Sequence, residues 1–207
     1  EVIKILISLM SIIYSIALSF IANCFIFVKQ QPKLLYIIIP VFLFINIWGS
    51  FLILKSKNKS LRICLHGTVM LIAFCISVIF SVVTQIYLAF KFIPDNYMSF
   101  IYSMIVCISV NSVIFWNGII CVYLSSTQLG IKLRVIGIVC GLIPIANIIV
   151  LTFIIKTTLA ECILEIKKEA LNNQRCKLEL CRTKYPILLV HGVFFRDNKY
   201  YNYWGRI

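Results

Sequence analysis

Ile63-Cys-Leu-His-Gly-Thr-Val-Met-Leu-Ile-Ala-Phe-Cys-Ile-Ser-Val-Ile-Phe-Ser-Val-Val-Thr-Gln-Ile-Tyr-Leu-Ala-Phe90 contains no Asp, Glu, Lys or Arg. At 1.5 Å per residue, a helix of this length exceeds the ~30 Å of hydrocarbon in a bilayer. The stretch therefore reads as a membrane span. Four more charge-free apolar stretches flank it: Ile5–Val28, Leu34–Leu54, Met98–Leu124 and Val135–Ile155. Short polar or basic loops separate them, at Lys29–Lys33, Lys55–Arg62, Lys91–Tyr97 and Ser125–Arg134. Pro40 and Pro144 fall inside spans, where neighbouring helices can satisfy the freed backbone groups. Lys91-Phe-Ile-Pro-Asp-Asn96 reads as a turn.

Composition agrees. Hydrophobic residues make up 61% of the chain and charged residues 13%, against about half and about a quarter in a soluble domain. Glu1, Asp95, Glu161, Glu165, Glu169, Glu179 and Asp197 are the acidic residues, and all lie outside the apolar runs. A bilayer imposes that segregation, because a charge at its centre costs several kcal/mol. The net charge is +13, but the basic residues are spread over loops and the C-terminal quarter. A nucleic-acid binder would gather them on one polar face, so no nucleic-acid partner is expected. The bilayer is the expected partner, with loop cations fixing topology and touching anionic headgroups.

Cys24, Cys75, Cys107, Cys121 and Cys140 sit in apolar runs, where a thiol acts as a small hydrophobe. No CxxC pair and no metal-ligand spacing occurs, and no cofactor is expected. Glu1 in place of Met points to a trimmed N-terminus. The first apolar run exceeds twenty residues without a small-residue cleavage site, so it reads as a span and not as a signal peptide. Lys4, Lys55, Lys57, Lys59, Arg62, Lys132 and Arg134 fall on the side of the N-terminus, against Lys29, Lys33 and Lys91 on the other. That excess puts the N-terminus in the cytoplasm of a multi-pass cell-membrane protein. Five spans then put the C-terminus outside, although Lys156, Lys167 and Lys168 pull the other way.

Polar positions inside the apolar runs are Asn23, Asn46, Gln85, Asn111, Asn117 and Asn147. Interhelical hydrogen bonding is the expected role, at about 1 kcal/mol each. No Asp, Glu, Lys or Arg sits mid-span, which a proton- or ion-coupled transporter needs. Gly137-x-x-x-Gly141 permits close helix approach. His66 reads as interfacial, and Trp48, Trp116, Tyr87, Tyr97, Tyr102 and Tyr123 as interface anchors or packing.

After Lys156 the pattern changes. Leu159, Cys162, Ile163, Ile166 and Ala170 recur at helical spacing among Glu161, Glu165, Lys168 and Glu169. This predicts an amphipathic helix over 157–171, opened by a capping box at Thr157-Thr158-x-x-Glu161 and ended at Asn172-Asn173. A polar linker follows to residue 183. Ile187-Leu-Leu-Val190 then reads as a strand buried on both faces, as in a parallel sheet, and Gly192 permits a sharp turn at its end. Ligands of such sheets bind beyond the carboxyl ends of the strands, where free backbone N–H groups can stabilise an oxyanion.

Lys184-Tyr-Pro-Ile-Leu-Leu-Val-His-Gly-Val193, with Asn202-Tyr-Trp-Gly205 downstream, resembles the first strand and oxyanion loop of bacterial true lipases in the α/β-hydrolase superfamily. The resemblance covers residues 184–207. It implies that Val193 donates its backbone N–H to the oxyanion hole, while His191 and Gly192 hold the turn and His191 is not the catalytic base. Phe194-Phe195-Arg196 departs from the small residues of many relatives, which bears on acyl-chain preference. No G-x-S-x-G occurs in the chain. The superfamily's order of Ser, acid and His places all three after this strand, so they are expected beyond Ile207 and this stretch of chain is expected to be inactive.

The reading is thus an all-α membrane protein. A five-helix transmembrane domain (1–156) is followed by an amphipathic helix and linker (157–183) and by the first strand of an α/β-hydrolase domain (184–207). The implied activity is hydrolysis of lipid carboxylic esters. The alternative is a non-enzymatic membrane scaffold or transporter subunit.

Overall fold

The structure is a computed structural model and describes residues 2–47, 56, 58–140 and 144–177. Among these residues all regular structure is helical. α1 is Val2–Ala22, α2 Phe25–Gln30, α3 Leu35–Ile47, α4 Lys59–Ser125, α5 Ile131–Cys140 and α6 Pro144–Lys177, with a 3-10 turn at Pro32–Leu34 ahead of α3. The strand expected over 187–190 lies outside the described residues.

α4 has 67 residues, about 100 Å if it were straight. It is instead folded back on itself. Ser60 Oγ donates to the Ser125 carbonyl at 3.0 Å, Ser77 Oγ to Asn111 Oδ1 at 3.3 Å, and Gln85 Nε2 to Ser103 Oγ at 3.2 Å. These pairs step along two antiparallel arms, Lys59–Phe92 and Tyr97–Ser125. The reversal falls between the arms, at the expected turn. Asn58 caps the first arm, its Oδ1 accepting from the Ser60 and Leu61 amides. The arms come close at Gly67 and Gly118. A Cβ on Gly67 would lie 2.8 Å from the Gly118 carbonyl oxygen and from Cys121 Cβ.

α1 packs along the hairpin through small side chains. Ser11, Ser15 and Ser19 return their hydroxyls to carbonyls four residues back, at 2.6–2.8 Å. Each hydroxyl is thereby satisfied within its own helix, and a narrow face is left for close contact. At one end of the bundle, Ile21, Cys24 and Ile38 form a cluster with Leu34 and Val110. At the other, Leu71, Ile119, Val122, Leu129, Leu151 and Ile154 join α4 to the loop before α5 and to α6. The outward faces are apolar: Phe90 is 82% exposed, Ile79 66% and Trp116 59%. A water-soluble monomer rarely shows so continuous an apolar surface, whereas lipid tails cover it without cost.

Among the described residues, four helical segments are long and apolar enough to cross a membrane: Ile5–Ala22, Lys59–Phe92, Tyr97–Ser125 and Asn147–Cys176. That is consistent with a multi-pass membrane protein. The expected second span corresponds to the shorter apolar helix Pro32–Ile47, and residues 48–55 lie outside the described part. The expected fifth span overlaps α5 and the start of α6, and residues 141–143 between them lie outside the described part.

The predicted amphipathic segment is helical but does not start at Thr157. It continues α6, already under way for three turns. Thr157 and Thr158 donate back to Phe153 O and Ile154 O, as mid-helix threonines do, and form no cap. The chain divides into two compact units, Glu1–Ile163 and Leu164–Ile207. In the second, the described residues continue α6; Ile166 is buried, and Lys168 Nζ pairs with Glu165 Oε1 at 2.9 Å.

Candidate functional site

His191, Gly192 and Val193, the residues expected to form the oxyanion turn, lie outside the described residues. The chemistry of the described part is its buried polar side chains. In an apolar surrounding an unpartnered polar group costs several kcal/mol, so their arrangement is informative.

They form layers along the α4 hairpin. In the layer nearest the reversal, Gln85 Nε2 donates to Asn23 Oδ1 at 3.0 Å and to Ser103 Oγ, and Asn23 Nδ2 donates to Ser81 Oγ at 3.3 Å. α1 and both arms are thereby joined. Beyond this layer the Lys29 ammonium donates to Ser99 Oγ at 2.7 Å. In the middle layer, Asn111 accepts from Ser77 and donates to the Cys107 carbonyl at 2.9 Å. In the third, Asn117 Nδ2 donates to the Asn46 carbonyl at 2.7 Å, and His66 Nε2 lies 2.8 Å from the same oxygen. A carbonyl only accepts, so His66 Nε2 carries the proton. Asn46 lies on α3. His66 and Asn117 thus fasten α3 to the hairpin. His66 is 2% exposed and faces the protein interior.

The interhelical role expected for Asn23, Asn46, Gln85, Asn111 and Asn117 is what the structure shows. Asn147 instead lines a cavity of about 660 Å³ against Phe74, Met104 and Phe115. Gly137 opens room for a side chain and not for a second helix backbone. A Cβ there would overlap the Tyr123 hydroxyl, which donates to the Arg134 carbonyl. Gly141 lies outside the described residues.

The end of the hairpin away from the reversal holds a buried carboxylate. Glu161, on α6, is 7% exposed. Its Oε1 accepts from the Thr127 amide at 2.8 Å and from the Thr127 hydroxyl at 2.7 Å, and its Oε2 accepts from the Ser126 hydroxyl. Ser126 Oγ in turn accepts from the Leu129 amide, and Arg134 Nη2 donates to the Ser126 carbonyl at 2.6 Å. An ionised carboxylate accepts only, and three donors from one loop match it. Cys64 and Cys162 meet beside it, joining the first arm to α6.

The sequence pattern puts Glu161 on the polar face of an amphipathic helix. The signal that points elsewhere is that Leu151, Ile154, Thr158, Glu161 and Cys162 share one helical face, and all five are buried. This cluster holds a loop against α6, and every donor to the carboxylate comes from the chain itself. Among the described residues no group of three His, Cys, Asp or Glu side chains is placed to hold a metal ion. In comparisons with known proteins, the chain matches no family model, no curated protein and no solved structure.

Proposed function

We propose that this chain is the membrane-embedded part of a serine hydrolase that cleaves carboxylic esters of lipids. The observation that carries the reading is the sequence Lys184–Val193 followed at lipase-like distance by Tyr203-Trp-Gly205. In this reading Ile187–Val190 is an interior strand, His191 and Gly192 set the bend after it, and the Val193 amide faces the oxygen that becomes negative during attack on the ester carbonyl. The nucleophilic serine, its acid and its histidine follow the strand in the superfamily's order. Attack forms an acyl-serine, and water then releases the fatty acid. The apolar helices keep this chemistry at a surface rich in ester lipids.

We further assign the loop end of the bundle to the cytoplasm. Ile7, Ile12, Leu159 and Ile163 line one groove, so the first compact unit starts and finishes at the same end. Lys59, Arg62, Lys132 and Arg134 flank the helices of that end.

The test is fluorophosphonate labelling of the natural gene product in membranes, with ester hydrolysis measured alongside. A labelled serine is expected. Val193→Pro, which removes the amide donor, should lower kcat about 100-fold or more while KM holds. A product that neither labels nor cleaves esters, or a Val193→Pro variant with the parent's kcat, would remove the hydrolase reading. The second reading, a membrane scaffold without catalysis, is favoured by the hydrogen-bonded layers, which serve packing alone. It predicts no labelling.

A further inference from the structure

Between α1–α2 and the first arm of the hairpin lies a groove of about 500 Å³. Phe20 and Phe27 stack along one wall, with ring centroids 6.1 Å apart. Phe80 and Leu88 line the other wall, and Gln30 and Lys91 stand at the mouth. The mouth lies where α2 ends, at Gln30, and where the first apolar arm ends, at Phe92. In a bilayer that is the level of the phosphates. From Lys91 down to Phe80 the helix descends about 16 Å, and one leaflet of hydrocarbon is about 15 Å deep. The groove therefore matches a single leaflet, apolar below and cationic at its rim. Lys91 Nζ lies 5.8 Å from the Phe92 ring centroid, over the face of the ring. An ammonium so placed stays at the rim. Among the described residues lining the groove none is acidic.

We propose that this groove binds an anionic glycerophospholipid. The phosphodiester sits on the Lys91 ammonium and the Gln30 amide, and one acyl chain lies along Phe20, Phe80 and Leu88. A zwitterionic lipid would bring its own cation to the same rim and lose the attraction. The inference does not depend on the hydrolase reading, since it concerns only helices of the first compact unit.

The test reconstitutes the purified protein in nanodiscs of equal phosphatidylglycerol and phosphatidylcholine, extracts it gently, and counts retained lipids by native mass spectrometry. The wild type should retain phosphatidylglycerol about fivefold over phosphatidylcholine, the factor expected for one lysine at the surface. Lys91→Gln should bring the ratio to about one, and Lys91→Arg should restore it. Thr84→Trp, which fills the groove from its wall, should lower retention of both lipids. If that variant loses helicity by circular dichroism, the Lys91 pair decides. Equal retention by the wild type, or an unchanged ratio in Lys91→Gln, would overturn the proposal. So would displacement of the lipid by inorganic phosphate, which would show a free-anion site without use of the acyl groove.

Discussion

The two ends of the α4 hairpin solve the same problem by different means. At the loop end a buried carboxylate, Glu161, gathers donors from Ser126 and Thr127, and Arg134 holds the Ser126 carbonyl. At the reversal end neutral amides pair with hydroxyls, and the cations Lys29 and Lys91 stand at the exposed rim. Hydrogen bonds to charged groups contribute about twice as much as neutral ones, but they leave a larger penalty when one partner is lost. The loop end is therefore the more tightly fastened and the more brittle. The reversal end trades strength for an open groove.

The largest expected effect tests that brittleness. Glu161→Ala leaves the Ser126 and Thr127 donors without their acceptor in a buried site. The cost should be about 3 kcal/mol or more, read as a lower midpoint of thermal unfolding in detergent. Glu161→Gln keeps one acceptor oxygen and should lose less. If Glu161→Ala melts with the wild type, the loop end is not held by its carboxylate and the comparison fails.

Next comes the seam between the arms. Gly67→Val drives atoms into the Gly118 carbonyl and Cys121, where backbone cannot give way. Overpacking of this kind costs about 1–3 kcal/mol. A Cβ on Gly130 would meet nothing within 4 Å, so Gly130→Ala should change the midpoint little. Equal effects at the two glycines would mean that the arms do not meet at Gly67.

How much of this was legible in the sequence divides along the same line. The spans at Ile5–Ala22 and in both arms of the hairpin follow from charge-free length, and helices of that length are there. The pairing of Asn23, Asn46 and Gln85 follows from the cost of amides in an apolar run. The loop end does not show itself. Glu161 reads as a solvated charge because its acceptor role depends on Ser126 and Thr127, about thirty-five residues earlier. Nothing local reveals that His66 faces the Asn46 carbonyl of α3. Each miss is a non-local contact. Residues 184–207, which carry the hydrolase resemblance, lie outside the described part, and their reading rests on sequence.

A smaller effect probes the neutral layer. Asn23→Ala and Gln85→Leu should each cost about 0.5–1 kcal/mol, the range of hydrogen bonds between membrane helices. Because the two amides bond each other at 3.0 Å, the double variant should cost less than the sum of the singles. Strict additivity in a thermal-unfolding cycle would show that the layer does not act as a unit.

A salt-dependent effect compares one cation from each end. Arg134→Met and Lys29→Met remove the same charge, yet their surroundings differ. Arg134 is half-buried and serves a carbonyl in a buried loop, at 2.6 Å. Lys29 is exposed, and its bond to Ser99 competes with water. Arg134→Met should cost about 1–2 kcal/mol, with little response to salt. Lys29→Met should cost about 0.5 kcal/mol or less, and that difference should shrink further in high salt, because exposed charges are screened. If the two substitutions lower the unfolding midpoint equally and respond alike to salt, the charge itself matters more than where it is buried, and the contrast between a fastened end and an open end loses its electrostatic basis.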